Sequence, residues 1–272
     1  MVNKKWDSEF RLGDSLTDEQ LSFFDKHGVI VFRNFLPKEK VATCISELKR
    51  IEKQWIDEGR EKVNGIPLKY GKDDDGNTII QRLCFSSLYS EALHDIVQDP
   101  KLKLLFSLLG SYEGRIGENE KDGLVINNYI NTKNSVFNKM GWHTDSPRDL
   151  FLGQKIMPML NVGLHLDDCL FQNGGLRVLP GTHKQGVVKL LFGKKYFVDN
   201  NEDPKEVGFD MFAGDLSVHD GRLWHRVKQS PLFGEPSRRR VMYVPIITGK
   251  HKPKDEHSKT PLYHKLGKVI KA

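Results

Sequence analysis

Leu160-Asn161-Val162-Gly163-Leu164-His165-Leu166 decides how the second half of this chain is read. Leu160, Val162, Leu164 and Leu166 fall on one face of an extended segment; Asn161, Gly163 and His165 fall on the other. That is the two-residue period of a strand with one apolar side. The same texture surrounds it. Residues 124–131 read as a strand, Asn173-Gly174-Gly175 as a turn, and 176–179, 214–219 and 239–247 as further strands. Residues 184–210, with Asp199-Asn200-Asn201 and Pro204, are too long for an ordinary connection and are expected to form a lid.

Before about residue 110 the period changes. Thr17, with Gln20 three residues on, starts a helix that Gly28 ends. Val29-Ile30-Val31-Phe32 is a β-branched strand, and Pro37 opens a second helix to about Asp57, with Val41, Cys44, Ile45, Leu48 and Ile51 at helical spacing. Residues 58–80, with an Asp-Asp-Asp-Gly-Asn cluster, read as a loop, and 88–109 as helical. Helices followed by many short strands point to a mainly-β sandwich or barrel with flanking helices.

The 272 residues suit one domain, expected over 1–248 with its β core at about 122–248. The net charge is +6, but residues 249–272 hold seven lysines against Asp255 and Glu256, a local +5 that leaves about +1 for the rest. The basic balance therefore belongs to a C-terminal extension and argues against nucleic-acid binding by the body. No apolar run is long enough to span a membrane, and Met1-Val2-Asn3-Lys4-Lys5-Trp6-Asp7 has no apolar signal-peptide core. A cytoplasmic protein is expected. Cys44, Cys84 and Cys169 are far apart and odd in number, which favours reduced thiols over a disulfide framework or zinc knuckle.

The chemistry-bearing segment is Gly141-Trp142-His143-Thr144-Asp145-Ser146-Pro147. Residues two apart in an extended segment point the same way, so His143 and Asp145 can share one cation. His225, in Leu223-Trp224-His225-Arg226-Val227, is the candidate third ligand. Two histidines and a carboxylate on one face leave three positions for a chelating cosubstrate and dioxygen, the pattern of non-haem iron(II) oxygenases. His165-Leu166-Asp167 offers the same spacing as a competitor. His165 lies inside the apolar strand, where a hydrogen-bonded interior histidine is the plainer reading.

Five segments, in order, resemble the phytanoyl-CoA dioxygenase family of Fe(II)/2-oxoglutarate oxygenases, which includes ectoine hydroxylases. They are the opening LTDEQLSFFDKHGVIVFRNFLPKEKV from residue 16, WHTDSP at 142–147, NGGLRVLPGTH at 173–183, GDLSVHDGRLWHRV at 214–227 and SRRRVMYVP at 237–245. The resemblance covers about 15–248. It implies a double-stranded β-helix, a cupin-like jelly roll, with iron(II) on His143, Asp145 and His225. It further implies 2-oxoglutarate as cosubstrate, O2 as oxidant, and hydroxylation of a small-molecule metabolite with release of succinate and CO2.

The same resemblance places an arginine for the far carboxylate of 2-oxoglutarate among Arg238, Arg239 and Arg240. Arg239 shares a strand face with Val241 and Tyr243, and Arg238 and Arg240 share the other. Two arginines on an interior face would leave one charge unpaired, so Arg239 is the first choice and Arg238 the second. By similarity to the ectoine hydroxylases, Asn131 and Asn161 are expected at the cosubstrate. Some members carry a serine two residues past the distal histidine; here that position is Val227. Trp142, Arg148 and Trp224, with Tyr196 and Phe197, are candidates for a substrate pocket, and Lys194 and Lys195 for greeting an anion. The rival readings are a cupin-type metalloenzyme with no cosubstrate, which would form no succinate, and a non-catalytic jelly roll, which would have a broken triad. The oligomeric state is not legible.

Overall fold

The computed structural model describes residues 4–7, 9–146 and 155–261. In chain order the strands are β1 (Lys4–Trp6), β2 (Val29–Phe32), β3 (Lys62–Val63), β4 (Ile66–Pro67), β5 (Lys69–Lys72), β6 (Thr78–Leu83), β7 (Arg115–Ile116), β8 (Val125–Asn131), β9 (Met140–His143), β10 (Met159–His165), β11 (Gly175–Val178), β12 (Val207–Phe209), β13 (Leu216–Asp220), β14 (His225–Lys228) and β15 (Gly234–Ile247). The helices are α1 (Asp18–His27), α2 (Lys38–Asp57), α3 (Glu91–Val97), α4 (Pro100–Leu104) and α5 (Val187–Phe192).

The strands form two main sheets. The larger runs β2-β13-β10-β15-β8-β6-β5 with β7 beside β15, and the smaller runs β1-β12-β11-β14-β9. Every pairing but β1 with β12 is antiparallel. This is a jelly roll: two sheets face each other and share one interior.

The alternation in β10 now has two addresses. Leu160, Val162, Leu164 and Leu166 join Ile30, Phe32, Leu216, Val218, Met242, Val244 and Ile246 in one buried cluster with Val41, Cys44, Leu48, Ile51 and Trp55 of α2. The apolar face of the larger sheet is thus its outer face, sealed by the helices. Asn161, Gly163 and His165 point the other way, into the jelly roll. Val29, Val31, Leu176, Val178, Phe209 and Leu223 pack together in a second buried cluster.

Local signals in the first helix act as their chemistry dictates. Thr17 and Gln20 form a reciprocal capping box, and Gly28 closes α1 at φ 74°, donating its N–H to Phe24 O. Elsewhere the structure corrects the reading. Residues 58–80 are not one loop: β5 and β6 form a hairpin that extends the larger sheet, and the acidic Asp73–Asn77 cluster is its turn, with Asn77 N–H donating to Asp73 Oδ1 at 2.7 Å. Residues 88–109 break into short α and 3-10 turns around Pro100. The stretch expected as an irregular lid holds α5 and β12. Cys44, Cys84 and Cys169 are buried free thiols. Among the described residues no helix is long and apolar enough to cross a membrane.

Candidate metal centre

The smaller sheet supplies the candidate ligands. His143 ends β9 and His225 opens β14, and the two are register partners. Asp145 lies two residues past the end of β9, its N–H bonded to Gly221 O at 2.8 Å. One ligand atom from each of His143, Asp145 and His225 lies within 4.8 Å of the other two. The imidazole centroids of His143 and His225 are 4.1 Å apart, and His225 Nε2 is 3.8 Å from Asp145 Oδ2.

The backbone sets which nitrogen each histidine offers. His143 Nδ1 bonds Gly141 O at 2.8 Å and His225 Nδ1 bonds Leu223 O at 3.0 Å. A carbonyl only accepts, so each Nδ1 carries the proton and each Nε2 presents a lone pair. Burial lowers the pKa of His143, partly offset by Asp145. Burial lowers that of His225 well below its ordinary value, and the neighbouring imidazoles add to the effect. For Asp145, burial acts upward, but His219, His225 and His143 more than offset it and hold the carboxyl well below the usual range. Neutral imidazoles beside an ionised carboxylate are the protonation states a divalent cation needs.

The larger sheet faces this set. Asn161 donates Nδ2–H to Asp145 Oδ2 at 3.1 Å. Arg239 lies on the inner face of β15, only 5 % exposed. The three neighbouring arginines differ in their partners. Arg238 bonds Glu235 and Asn128 Oδ1, and Arg240 makes a two-point pair with Asp167 at 2.6 and 2.8 Å. Among the described residues Arg239 has no carboxylate. It reaches the carbonyls of Lys228 (3.0 Å) and Asn138 (3.3 Å), lies beside the Cys169 thiol, leaves Nε unpartnered, and lies over the Tyr129 ring. The Asn173-Gly174-Gly175 turn makes room for it: a Cβ at Gly174 would come within 2.9 Å of Arg239 Nη1.

The competing His165-Leu166-Asp167 is resolved in the same way. His165 Nε2 bonds Ser217 Oγ at 3.0 Å, burial pulls its pKa to about 4, and Asp167 is taken by Arg240.

Three other expectations need correction. Asn131 is not at the centre: its carboxamide donates to Ser230 O and Leu232 O and accepts from Gln229 Nε2, tying the β14–β15 connection. On the same face of β8, Asn127 is the buried residue, with Oδ1 unpartnered and Nδ2 3.4 Å from Tyr129 Oη. Trp142 and Trp224 each precede a candidate ligand by one residue, so they point to the opposite face of the smaller sheet. There they pack with Leu179 and Tyr196, and Trp142 Nε1 donates to Asn201 O at 2.8 Å. The segment after α5 is their cover. Lys194 belongs to it, paired with Asp203 at 2.9 Å over the Trp142 ring. From this segment Phe197 does reach the centre, stacking on His143 with centroids 4.8 Å apart at a backbone φ of 61°. Arg148 lies outside the described residues.

His219 is a residue the sequence reading missed. It is 1 % exposed, and its ring centroid is 4.4 Å from that of His225. The available signal was alternation along Leu216–Asp220, which puts Ser217 and His219 together on the inner face.

Residues 24–230 match the family model described as phytanoyl-CoA dioxygenase (PhyH). The chain belongs to that family. Among its relatives is a phytanoyl-CoA dioxygenase domain-containing protein 1 homolog from Dictyostelium discoideum, 24% identical over 256 residues, covering 77% of this chain and 84% of that protein. The ectoine dioxygenase of Bordetella bronchiseptica is 24% identical over 180 residues, a match spanning 65% of this chain and 53% of that protein. Among solved structures, HygX from Streptomyces hygroscopicus with nickel and 2-oxoglutarate bound superposes at a TM-score of 0.61 and 16% identity, covering 88% of this chain and 90% of that one. That likeness shows the fold alone.

Proposed function

We propose that this family member hydroxylates an unactivated C–H bond of a small-molecule metabolite, releasing succinate and CO2, with the metal on His143, Asp145 and His225. Its class is that of an iron(II)- and 2-oxoglutarate-dependent dioxygenase. The observation that carries the reading is the pairing of two sites across one interior: two imidazole lone pairs and an ionised carboxylate within 4.8 Å of one another, and a buried guanidinium with no carboxylate partner among the described residues.

The residues fit the groups. Neutral nitrogens with one carboxylate suit iron(II) and leave positions open for a chelating 2-oxo acid. A buried, permanently charged fork suits the far carboxylate of a dicarboxylic acid. Bound iron would supply the oxygen chemistry. The chain's own residues hold and orient. His143 and His225 are aimed by the carbonyls two residues before them, and Asn161 fixes the rotation of Asp145. Arg239, lying on Tyr129, sets where a bound acid ends. Val227 packs with Tyr129 and Phe137 where some relatives have a serine, so the far-carboxylate clamp lacks that hydroxyl. Tyr129 Oη, next to Asn127, offers one instead. Lining by Val227, Phe137 and Tyr129 keeps water from this end.

The reading takes the enzyme to act in the cytoplasm on a free metabolite. It also takes residues 1–248 as one catalytic domain followed by a basic extension. The test is a metabolite screen with Fe(II) and 2-oxoglutarate, read as succinate and as products gaining one oxygen atom. His225→Ala is expected to abolish substrate-dependent succinate; full activity in that variant would sink the assignment.

A further inference from the structure

Among the described residues His219 is the one interior imidazole with neither nitrogen in a hydrogen bond. Neither Nδ1 nor Nε2 has a hydrogen-bond partner among the described residues. Buried polar groups in folded proteins are nearly always paired, so an orphan aimed at a site asks for a reason. His165, on the neighbouring strand and equally buried, shows how this fold treats a structural histidine: it gives it Ser217. At position 219 an apolar side chain would fill the space with no polar group to bury.

The ring is held rigidly and close. β13 runs between β2 and β10, with His219 opposite Val29 on one side and Asn161 on the other. Its Nε2 lies 3.6 Å from Asp145 Oδ2, the oxygen that already accepts from Asn161. Yet it is outside the three-residue set whose ligand atoms converge. It therefore stands one step behind the ligands, and it stands on the opposite sheet.

We propose that His219 is a positioning residue of the metal centre: its Nε2–H donates to the Asp145 carboxylate, so that Asn161 and His219 grip from the larger sheet a ligand carried by the smaller one. The centre is then clamped by both sheets. A metal-bound carboxylate would have its rotation fixed by two donors, and the approach needed is a few tenths of an ångström. Outer-sphere partners of this kind set ligand orientation and affinity without touching the metal.

The inference rests on the reading that His143, Asp145 and His225 bind a divalent metal, so the test separates the two. Metal-free protein is titrated with Co(II), followed by calorimetry and by the cobalt absorption spectrum, with 2-oxoglutarate absent. Failure of the wild-type protein to bind, or unaltered binding by His225→Ala, would overturn the underlying reading. Given wild-type binding, His219→Leu is expected to weaken Co(II) affinity by roughly 10- to 100-fold. The metal-free variant should unfold at or above the wild-type temperature, because an orphan polar group has been removed. His219→Gln, which keeps a side-chain N–H at similar reach, should restore affinity to within about threefold of wild type and leave the cobalt spectrum unchanged. Unchanged affinity in His219→Leu would overturn the proposal. So would a His219→Gln variant as weak as His219→Leu, which would make the imidazole a ligand instead of a donor.

Discussion

Arg239→Gln tests the cosubstrate end of the site most directly. The side chain is 5 % exposed, donates to two carbonyls, has no carboxylate partner among the described residues, and lies over Tyr129. A carboxylate at about 4 Å from its charge would gain about 4 kcal/mol at an effective dielectric of about 20. Desolvating the incoming acid gives part of that back, so a net loss of about 2–4 kcal/mol is expected on removing the charge. At about 1.4 kcal/mol per decade this is roughly a 30- to 1000-fold rise in the dissociation constant for 2-oxoglutarate. Anaerobic calorimetry of 2-oxoglutarate into the Fe(II)-loaded protein measures it, and Co(II) affinity measured separately shows that the metal site survives. Arg239→Lys should recover only part of the loss, because an ammonium cannot present the two-point fork. Arg238→Gln and Arg240→Gln are the controls, since Glu235 and Asp167 occupy those side chains. The reasoning fails if Arg239→Gln binds 2-oxoglutarate within about twofold of wild type, or if a control shows the larger loss.

Other expectations follow from the same geometry. His165 is held neutral, with its folded pKa near 4 against 6.5 when exposed. The unfolded chain therefore takes up the proton first. This histidine's contribution is complete above pH 6.5 and is lost as pH falls toward 4, by up to about 1.4 kcal/mol per unit and about 3 kcal/mol in all. Urea midpoints of wild type and His165→Gln should converge between pH 7 and pH 5; parallel lines would refute the assignment. Trp224→Ala should destabilise the fold by about 3–5 kcal/mol through loss of the buried cluster under the cover segment. In whatever fraction folds, the KM for substrate should stay near wild type; a selective rise in KM would return Trp224 to the pocket. Thr17→Ala should cost about 1 kcal/mol by removing one half of the capping box, read as a shift in denaturation midpoint with metal affinity unchanged.

Much of this protein was legible locally. The capping box at Thr17 and Gln20 and the left-handed Gly28 follow from side-chain chemistry within a single turn, and so did the apolar–polar alternation of β10. The spacing of His143 and Asp145 needed only that residues two apart share a face. The same rule puts Arg239 on the opposite face from Arg238 and Arg240 without saying which face looks inward. Family resemblance then tied these fragments to one order along the chain.

Alternation says which residues share a face; it does not say where that face looks. Whether Trp142 and Trp224 look into the jelly roll or out beneath residues after α5 depends on what the chain lays across the smaller sheet some fifty residues away. Asn127 and Asn131 share one face of β8, and only their depth along the strand, set by pairing with β15, sends one to the interior and the other to the β14–β15 connection. Residues 58–80 read as a loop because a polar edge hairpin has no apolar periodicity to display, and its partner β8 supplies the order. His219 carries no spacing signal toward Asp145, because 74 residues of chain separate them. The sequence by itself determined the capped helix, the alternation of β10 and the shared face of His143 and Asp145, each being a property of neighbours in the chain. The tertiary structure alone decided which faces meet across the interior, because that depends on the packing of two sheets against each other.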